Sequence, residues 1–286
     1  LILVIIVVLL VLIIKFPKSI LQQDKSLKVS PSPATTSNDI NELTRLGDMY
    51  SSQGKFKESE ELLKKAYQIN PKNVSTLIAL ANLYIHLGRY AEAEKMVKDA
   101  LEVQPGDDSK IVLLGKLYRN WKKYDLSEEM FNKALKINPN NDTAYGYGLG
   151  YLYRDLGKYD EAEQAFKKAI ELNHKNDFNY MGLGDLYRHM EQYEESEKFL
   201  RQAIEMNPKS EAYMGLGWLF LNQNRLDESE KYFKKYLEEV GERGEIYMGL
   251  GSIYKARGKN DIAKEMFEKS IVINPELGGV DALKGL

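Results

Sequence analysis

Cysteine is absent from the 286 residues, and histidine is limited to three, His86, His174 and His189. The first absence excludes a disulfide framework, a thiolate metal site and a cysteine nucleophile. The second leaves too few imidazoles for most metal or acid–base constellations. Charge of one sign is lacking as well. Lysine and arginine number 40 against 42 aspartates and glutamates, a formal net charge of −2. Nucleic-acid binding needs a basic footprint, so that class is set aside. Apolar residues at 43% and charged residues at 29% are an ordinary folded composition, not a disordered one. No H-E-x-x-H, no G-x-S-x-G and no strand-led G-x-G-x-x-G occurs. No metal, cofactor or catalytic residue is therefore expected.

Long apolar runs are confined to the start. Leu1–Ile14 is unbroken for 14 residues and is closed by Lys15 and Pro17. As a helix it would reach roughly 21 Å, short of the ~30 Å hydrocarbon core. The chain opens on Leu1 rather than Met, and the expectation is that preceding residues complete the span. A signal-peptide core is the rival, but Lys15-Phe16-Pro17-Lys18-Ser19-Ile20 has no small-residue cleavage pair. Residues 1–17 are read as an N-terminally truncated transmembrane or signal-anchor segment. Residues 18–39 are read as a flexible linker, because Ser30–Asn38 has two prolines and no apolar period. Lys15, Lys18, Lys25 and Lys28 would hold the body in the cytoplasm by the positive-inside rule. The cysteine-free composition points the other way. The body is read as extracytoplasmic, with the cytoplasmic side as the alternative.

The rest repeats itself. Asn-Pro recurs at 70–71, 138–139, 207–208 and 274–275, with Gln104-Pro105 and Asn173-His174 between, so the step from Pro71 runs 34, 34, 35, 34. That period has the length of a helix–turn–helix unit. In 143–176 a first helix holds Leu149–Tyr153 and Gly157-Lys158-Tyr159 turns the chain. The second helix begins on acids and carries lysines further on, as the helix dipole favours. Ala162, Phe166 and Ala169 share one face.

Seven units follow: 40–73, 74–107, 108–141, 143–176, 177–209, 210–243 and 244–277, with Asp142 inserted and the fifth unit one short. Position 8 is always small, as in Gly47, Ala81, Gly115, Gly150, Gly184, Gly217 and Gly251. Position 11 is always aromatic, from Tyr50 to Tyr254, with Phe220 in the sixth unit. Position 20 is Ser or Ala throughout, and position 27 is Ala until Tyr236 and Ser270. Small residues let two helices approach, and the ring fills the space beside them. Gly182, Gly215 and Gly249 at position 6 have no reason visible in the sequence.

This pattern resembles the tetratricopeptide repeat family over 238 residues, 40–277. The resemblance implies an all-α fold, a right-handed superhelical α-solenoid of antiparallel helix pairs with first helices lining a concave groove. Residues 278–286 would be the stub of a capping helix or a further repeat. In the family the groove is faced by positions 2, 5, 9, 12 and 13 of the first helix. Here this implies a peptide site including Asn82, Lys116, Arg119, Tyr147, Tyr151, Arg154, Phe178, Met181, Asp185, Arg188, Met214, Trp218, Asn222 and Lys255. Arg119, Arg154 and Arg188 share position 12 of three successive units. They either form a ladder for an extended acidic segment or pair internally with Asp155 and Asp185. The family's two-carboxylate clamp is missing: Asn82 is the only Asn at position 9, and Ile78 stands at position 5 of its unit.

The expected function is a non-enzymatic, membrane-anchored scaffold that binds a peptide or protein segment in the groove. The alternative is the regulatory or targeting repeat region of a larger enzyme, such as a transferase, whose catalytic domain lies outside this chain.

Overall fold

The computed structural model describes residues 39–274 and 279–285. The anchor at 1–17 and the linker up to residue 38 lie outside them. Asp39 was expected in the linker, yet its carboxylate accepts from Asn41 N at 2.9 Å and caps the first helix.

Only helices and turns occur among the described residues. The order is α1 (Ile40–Ser52), α2 (Phe56–Ile69), α3 (Val74–His86), α4 (Tyr90–Val103), α5 (Asp108–Asn120) and α6 (Tyr124–Ile137). Next comes α7, whose helical run starts at Asp142, is π-helical over Ala144–Gly150 and α-helical over Tyr151–Asp155, then α8 (Tyr159–Leu172), α9 (Asp177–His189) and α10 (Tyr193–Met206). The last are α11 (Ala212–Asn222), α12 (Leu226–Glu239), α13 (Gly244–Ala256), α14 (Asn260–Ile273) and the short α15 (Gly279–Lys284). Two compact units divide the chain, one up to Leu83 and one from Tyr84. In the first, α1 packs on α2 around Leu43, Leu46, Leu62 and Ala66. In the second, each first helix packs on its own second helix and on the second helix before it.

Sequence signals set the helix ends. Asn73, Asp107, Asn141 and Asn176 cap first helices through their side chains, each accepting from a backbone N–H two or three residues on. Gly54, Gly88, Gly157 and Gly258 turn the chain with positive φ; Lys122, Glu191 and Asn224 do the same without glycine. The second helices end on a cap N–H that returns to the carbonyl four residues back, as from Asn138 to Ala134. The Pro that follows several of them then bars any continuation.

Two features tie neighbouring pairs together. Tyr118 Oη donates to Glu94 at 2.7 Å, Tyr153 to Glu128 at 2.7 Å, Tyr187 to Glu163 at 2.6 Å and Tyr254 to Glu230 at 2.7 Å. The position-11 ring is therefore a latch onto the preceding second helix as well as a space-filler. The acid opening one first helix accepts from asparagines of the next turn and of the helix that follows it. Asp108 takes Asn138 and Asn141, at 2.7 and 2.8 Å, and Asp142 takes Asn173, Asn176 and Asn179, at 2.8–3.2 Å.

That equivalence corrects the register. Asp142 is not an insertion between units. It opens α7 as Asp108 opens α5, and the extra residue is absorbed in the π-helical stretch Ala144–Gly150. The missing residue is likewise not in the fifth unit, whose second helix has the common 14 residues. It is lost at the start of α11, which has 11 residues where α5, α9 and α13 have 13, because Glu211 also stays in the turn.

The position-6 glycines also find their reason. Phe166 is fully buried between two glycines, Gly150 of its own unit and Gly182 of the next. A Cβ on Gly150 would come within 2.8 Å of the ring, and one on Gly182 would collide with it. Leu200 sits in the same way between Gly184 and Gly215, and Phe233 between Gly217 and Gly249. These glycines give up helix propensity, roughly 1 kcal/mol each, to admit a large side chain from the second helix.

Candidate binding surface on the first helices

Three successive first helices, α5, α7 and α9, carry one ionic row. Arg119 Nε lies 3.7 Å from Asp155 Oδ2, and Arg154 Nη2 is 2.8 Å from Asp155 Oδ1. Arg154 Nη1 then reaches Asp185 Oδ2 at 2.6 Å, and Arg188 Nη2 reaches Asp185 Oδ1 at 2.5 Å. His189 Nε2 stands 3.8 Å from the same carboxylate. Asp185 is the hub. Its burial works against ionisation, but the charges of Arg188 and Arg154 outweigh that and hold its pKa below the usual range. Burial moves His189 the other way and lowers its pKa, leaving the ring more readily neutral. The arginines are thus not a ladder of free guanidiniums. Arg154 and Arg188 are engaged internally, as the second sequence reading had it.

Tyrosines line this row. The rings of Tyr147 and Tyr151 lie 5.3 Å apart. Arg154 sits 4.7 Å over Tyr151, and Arg119 about equally far from both rings, at 5.2 and 5.3 Å. Lys116 Nζ lies 3.9 Å over Tyr147. Arg119 Nη1 donates to the Tyr147 carbonyl at 3.0 Å. Sequence reasoning missed this carbonyl, which belongs to the π-helical stretch; the extra residue next to three spaced glycines was its only trace. Tyr151 also stands edge-on to Phe166 at 5.2 Å, so its ring is largely a lid on the core. Burial raises the Tyr151 pKa.

Beyond the row the surface turns apolar. Met181, Met214, Trp218 and Leu221 are partly buried and pack on the cluster that contains Leu200, Leu216 and Phe233. Trp218 stands edge-on to Phe233 at 5.3 Å. Phe178 is 44% exposed and Tyr147 37%. Asn222 and Lys255 are exposed and stand outside the row. Asn82 is exposed too but belongs to the other compact unit. The structure thus brings together Lys116, Arg119, Tyr147, Tyr151, Arg154, Asp185 and Arg188. It sets Met181, Met214 and Trp218 on one core, and does not join Asn82, Asn222 or Lys255 to either group. Among the described residues no group of His, Asp or Glu could hold a metal ion, and no helix is long and apolar enough to cross a membrane.

Helix pairs of this spacing, with paired small residues and an aromatic latch, are matched by family models described as tetratricopeptide repeat at 50–117, 112–141, 142–209, 181–243 and 244–277. The chain is a tetratricopeptide repeat protein. Its fold is the all-α helix-pair solenoid of that family, a protein-binding scaffold. A tetratricopeptide repeat protein from Parabacteroides merdae is 23% identical, with 87% of this chain and 98% of that chain covered, at a TM-score of 0.64. PilW, a type IV pilus biogenesis factor, is 21% identical over 74% of this chain and 97% of its own, at 0.58. A thermophilic repeat protein of Thermus thermophilus is 22% identical over 62% of this chain and 99% of its own, at 0.56. These likenesses concern the fold. No curated protein matches the chain.

Proposed function

We propose that this tetratricopeptide repeat protein is a non-enzymatic scaffold of seven units, 40–277. In this reading it is tethered to a membrane by the apolar run Leu1–Ile14 and holds an extended peptide or protein segment against its first helices. The observation that carries the reading is the surface from Tyr147 and Phe178 to Met181, Met214 and Trp218. Aromatic and methionine side chains stand there exposed or half-buried, and Met181, Met214 and Trp218 pack on a buried core. Such side chains give large contact area at low entropy cost and suit an adaptable ligand. The tether rests on composition alone, and the body's side of the membrane is proposed as extracytoplasmic.

The test is selection of binders from a random peptide library on the full chain in lipid nanodiscs, followed by photocrosslinking from a benzoylphenylalanine placed at Phe178. Crosslinked peptides and a roughly tenfold weaker capture by Trp218→Ala, equal to about 1.4 kcal/mol, are expected. The Trp218 loss should be the same at low and high salt, because the contact is apolar. Binders that all crosslink elsewhere and ignore Trp218→Ala would overturn the surface. Alkaline extraction that releases the full chain from membranes would overturn the tether, and a reporter active on one side only, fused to Leu286, decides the side.

A further inference from the structure

The ionic row does not balance. Lys116, Arg119, Arg154 and Arg188 bring four positive charges, and Asp155 and Asp185 return two negative ones. The surplus is uneven. Asp185 is gripped by both Arg154 and Arg188, and Asp155 is 2.8 Å from Arg154 but 3.7 Å from Arg119. The uncompensated end is therefore the one made by Arg119 and Lys116.

These two differ in reach. The Arg119 side chain is only 12% exposed and is spent in part on the Tyr147 carbonyl, so it supplies field rather than contact. Lys116 is half-buried, with its ammonium above an exposed ring, and no carboxylate among the described residues pairs with it. Burial, and then the Arg119 charge, bring its pKa down to about 8. A half-buried ammonium without a carboxylate costs folding free energy, and the ring beneath returns only part of it. Among the described residues no carboxylate offsets the rest. A carboxylate arriving from outside would supply the missing partner.

We propose that Lys116, backed by Arg119 and floored by Tyr147, binds the side-chain carboxylate of an aspartate or glutamate in the segment held on the first helices, an assignment that rests on the scaffold reading above. The exposed Tyr147 ring offers the methylene groups of that side chain an apolar seat. The row runs on from Lys116 through Tyr151 and Arg154, so the ligand's backbone has surface to follow past the subsite. This is why a side chain rather than a chain end is assigned. The residues are not those of a two-carboxylate clamp, which needs Lys at position 5 and Asn at 9 of one unit. Here Lys116 itself is at position 9.

The experiment uses the full chain in nanodiscs with lysine labelled at Cε, and the Lys116 signal is assigned by its loss in Lys116→Met. The probe is N-acetylglutamate α-methylamide, whose only carboxylate is on the side chain, at millimolar concentration. Its glutamine counterpart serves as the neutral control. A shift of the Lys116 signal with the glutamate derivative and none with the glutamine derivative is expected. An unmoved signal overturns the subsite, and equal shifts with both overturn its charge basis. A response to N-acetylalanine, which carries only a chain-end carboxylate, but not to the glutamate derivative overturns the side-chain assignment. Lys116→Met removes a buried charge and is expected to fold, and Lys116→Gln repeats the test with a polar replacement. Library-selected peptides that crosslink at Phe178 should be enriched in Asp and Glu and lose about tenfold in affinity with Lys116→Met. Crosslinking peptides with no acidic enrichment would leave the scaffold reading standing and remove the subsite. Peptides that bind elsewhere would remove the scaffold reading, while the glutamate response still reports on Lys116.

Discussion

The first helices of the fourth and sixth units depart from the common length in opposite directions. α7 carries one residue more and stores it as the π-helical stretch Ala144–Gly150. α11 has 11 residues instead of 13 and loses them at its start, where Glu211 stands as a turn before the helix. Their C-terminal halves nevertheless do the same things. Each closes on a left-handed residue, Gly157 or Asn224, and each sets an aromatic ring edge-on to the buried phenylalanine of its own unit. Every second helix from α2 to α14 keeps 14 residues. Among these units length thus varies only in the N-terminal half of a first helix, although Ala144 and Ala212 there are fully buried. The two also differ in surface. α7 brings Arg154 and Asp155 into the ionic row; α11 brings Met214 and Trp218 and no charge.

The sharpest test of their shared core is truncation of the rings they cover. Phe166→Ala and Phe233→Ala should each cost about 3–5 kcal/mol, read by urea denaturation, because both rings are fully buried. A much smaller loss for Phe166 would show that the π-helical stretch packs loosely and would break the equivalence. Gly182→Leu and Gly249→Leu push side chains into those same rings and should cost about 1–3 kcal/mol. In a repeat array the damage begins locally, so hydrogen exchange should quicken first in α9 and α13 respectively. Unchanged protection there would contradict the packing described.

Next comes the charged half alone. Asp185→Asn leaves Arg154 and Arg188 without their hub and should cost about 1–2 kcal/mol at neutral pH, a smaller effect than for a fully buried pair. Its folded pKa lies below the unfolded value, so its contribution is present above about pH 4 and fades as acid protonates the folded carboxylate. Wild type and variant should therefore converge in strong acid. The smallest effect separates the latches. Tyr153→Phe in α7 removes the bond to Glu128 and makes the helix resemble α11, where Phe220 has no hydroxyl, at a cost of about 1 kcal/mol. The Tyr153 hydroxyl is pushed up to about 12 by burial and by its bond to Glu128. The folded state thus holds this proton longer than the unfolded chain. Its contribution persists to about pH 10 and is lost as the pH rises to about 12, a loss that Tyr153→Phe should diminish in an alkaline stability profile.

Much of this was legible because a repeat states its rule many times. The period, the small residues at positions 8 and 20 and the ring at 11 are local patterns that any one unit leaves ambiguous. Seven copies make them plain. The sequence by itself determined the helix pairs, their turns and which face each helix buries, since propensity, capping and periodicity act over a few residues. It could not say where an extra or missing residue would be absorbed, because that depends on how each helix packs on its neighbours. It could not explain Gly182, whose partner Phe166 belongs to the preceding unit. It left the arginines open between ligand and internal pairing, because the answer depends on whether side chains two helices apart come within 4 Å. Only stacking decided that. It joined Arg154 and Arg188 to Asp185 and left Lys116, one turn from Arg119 in the sequence, as the cation of the row with no carboxylate beside it.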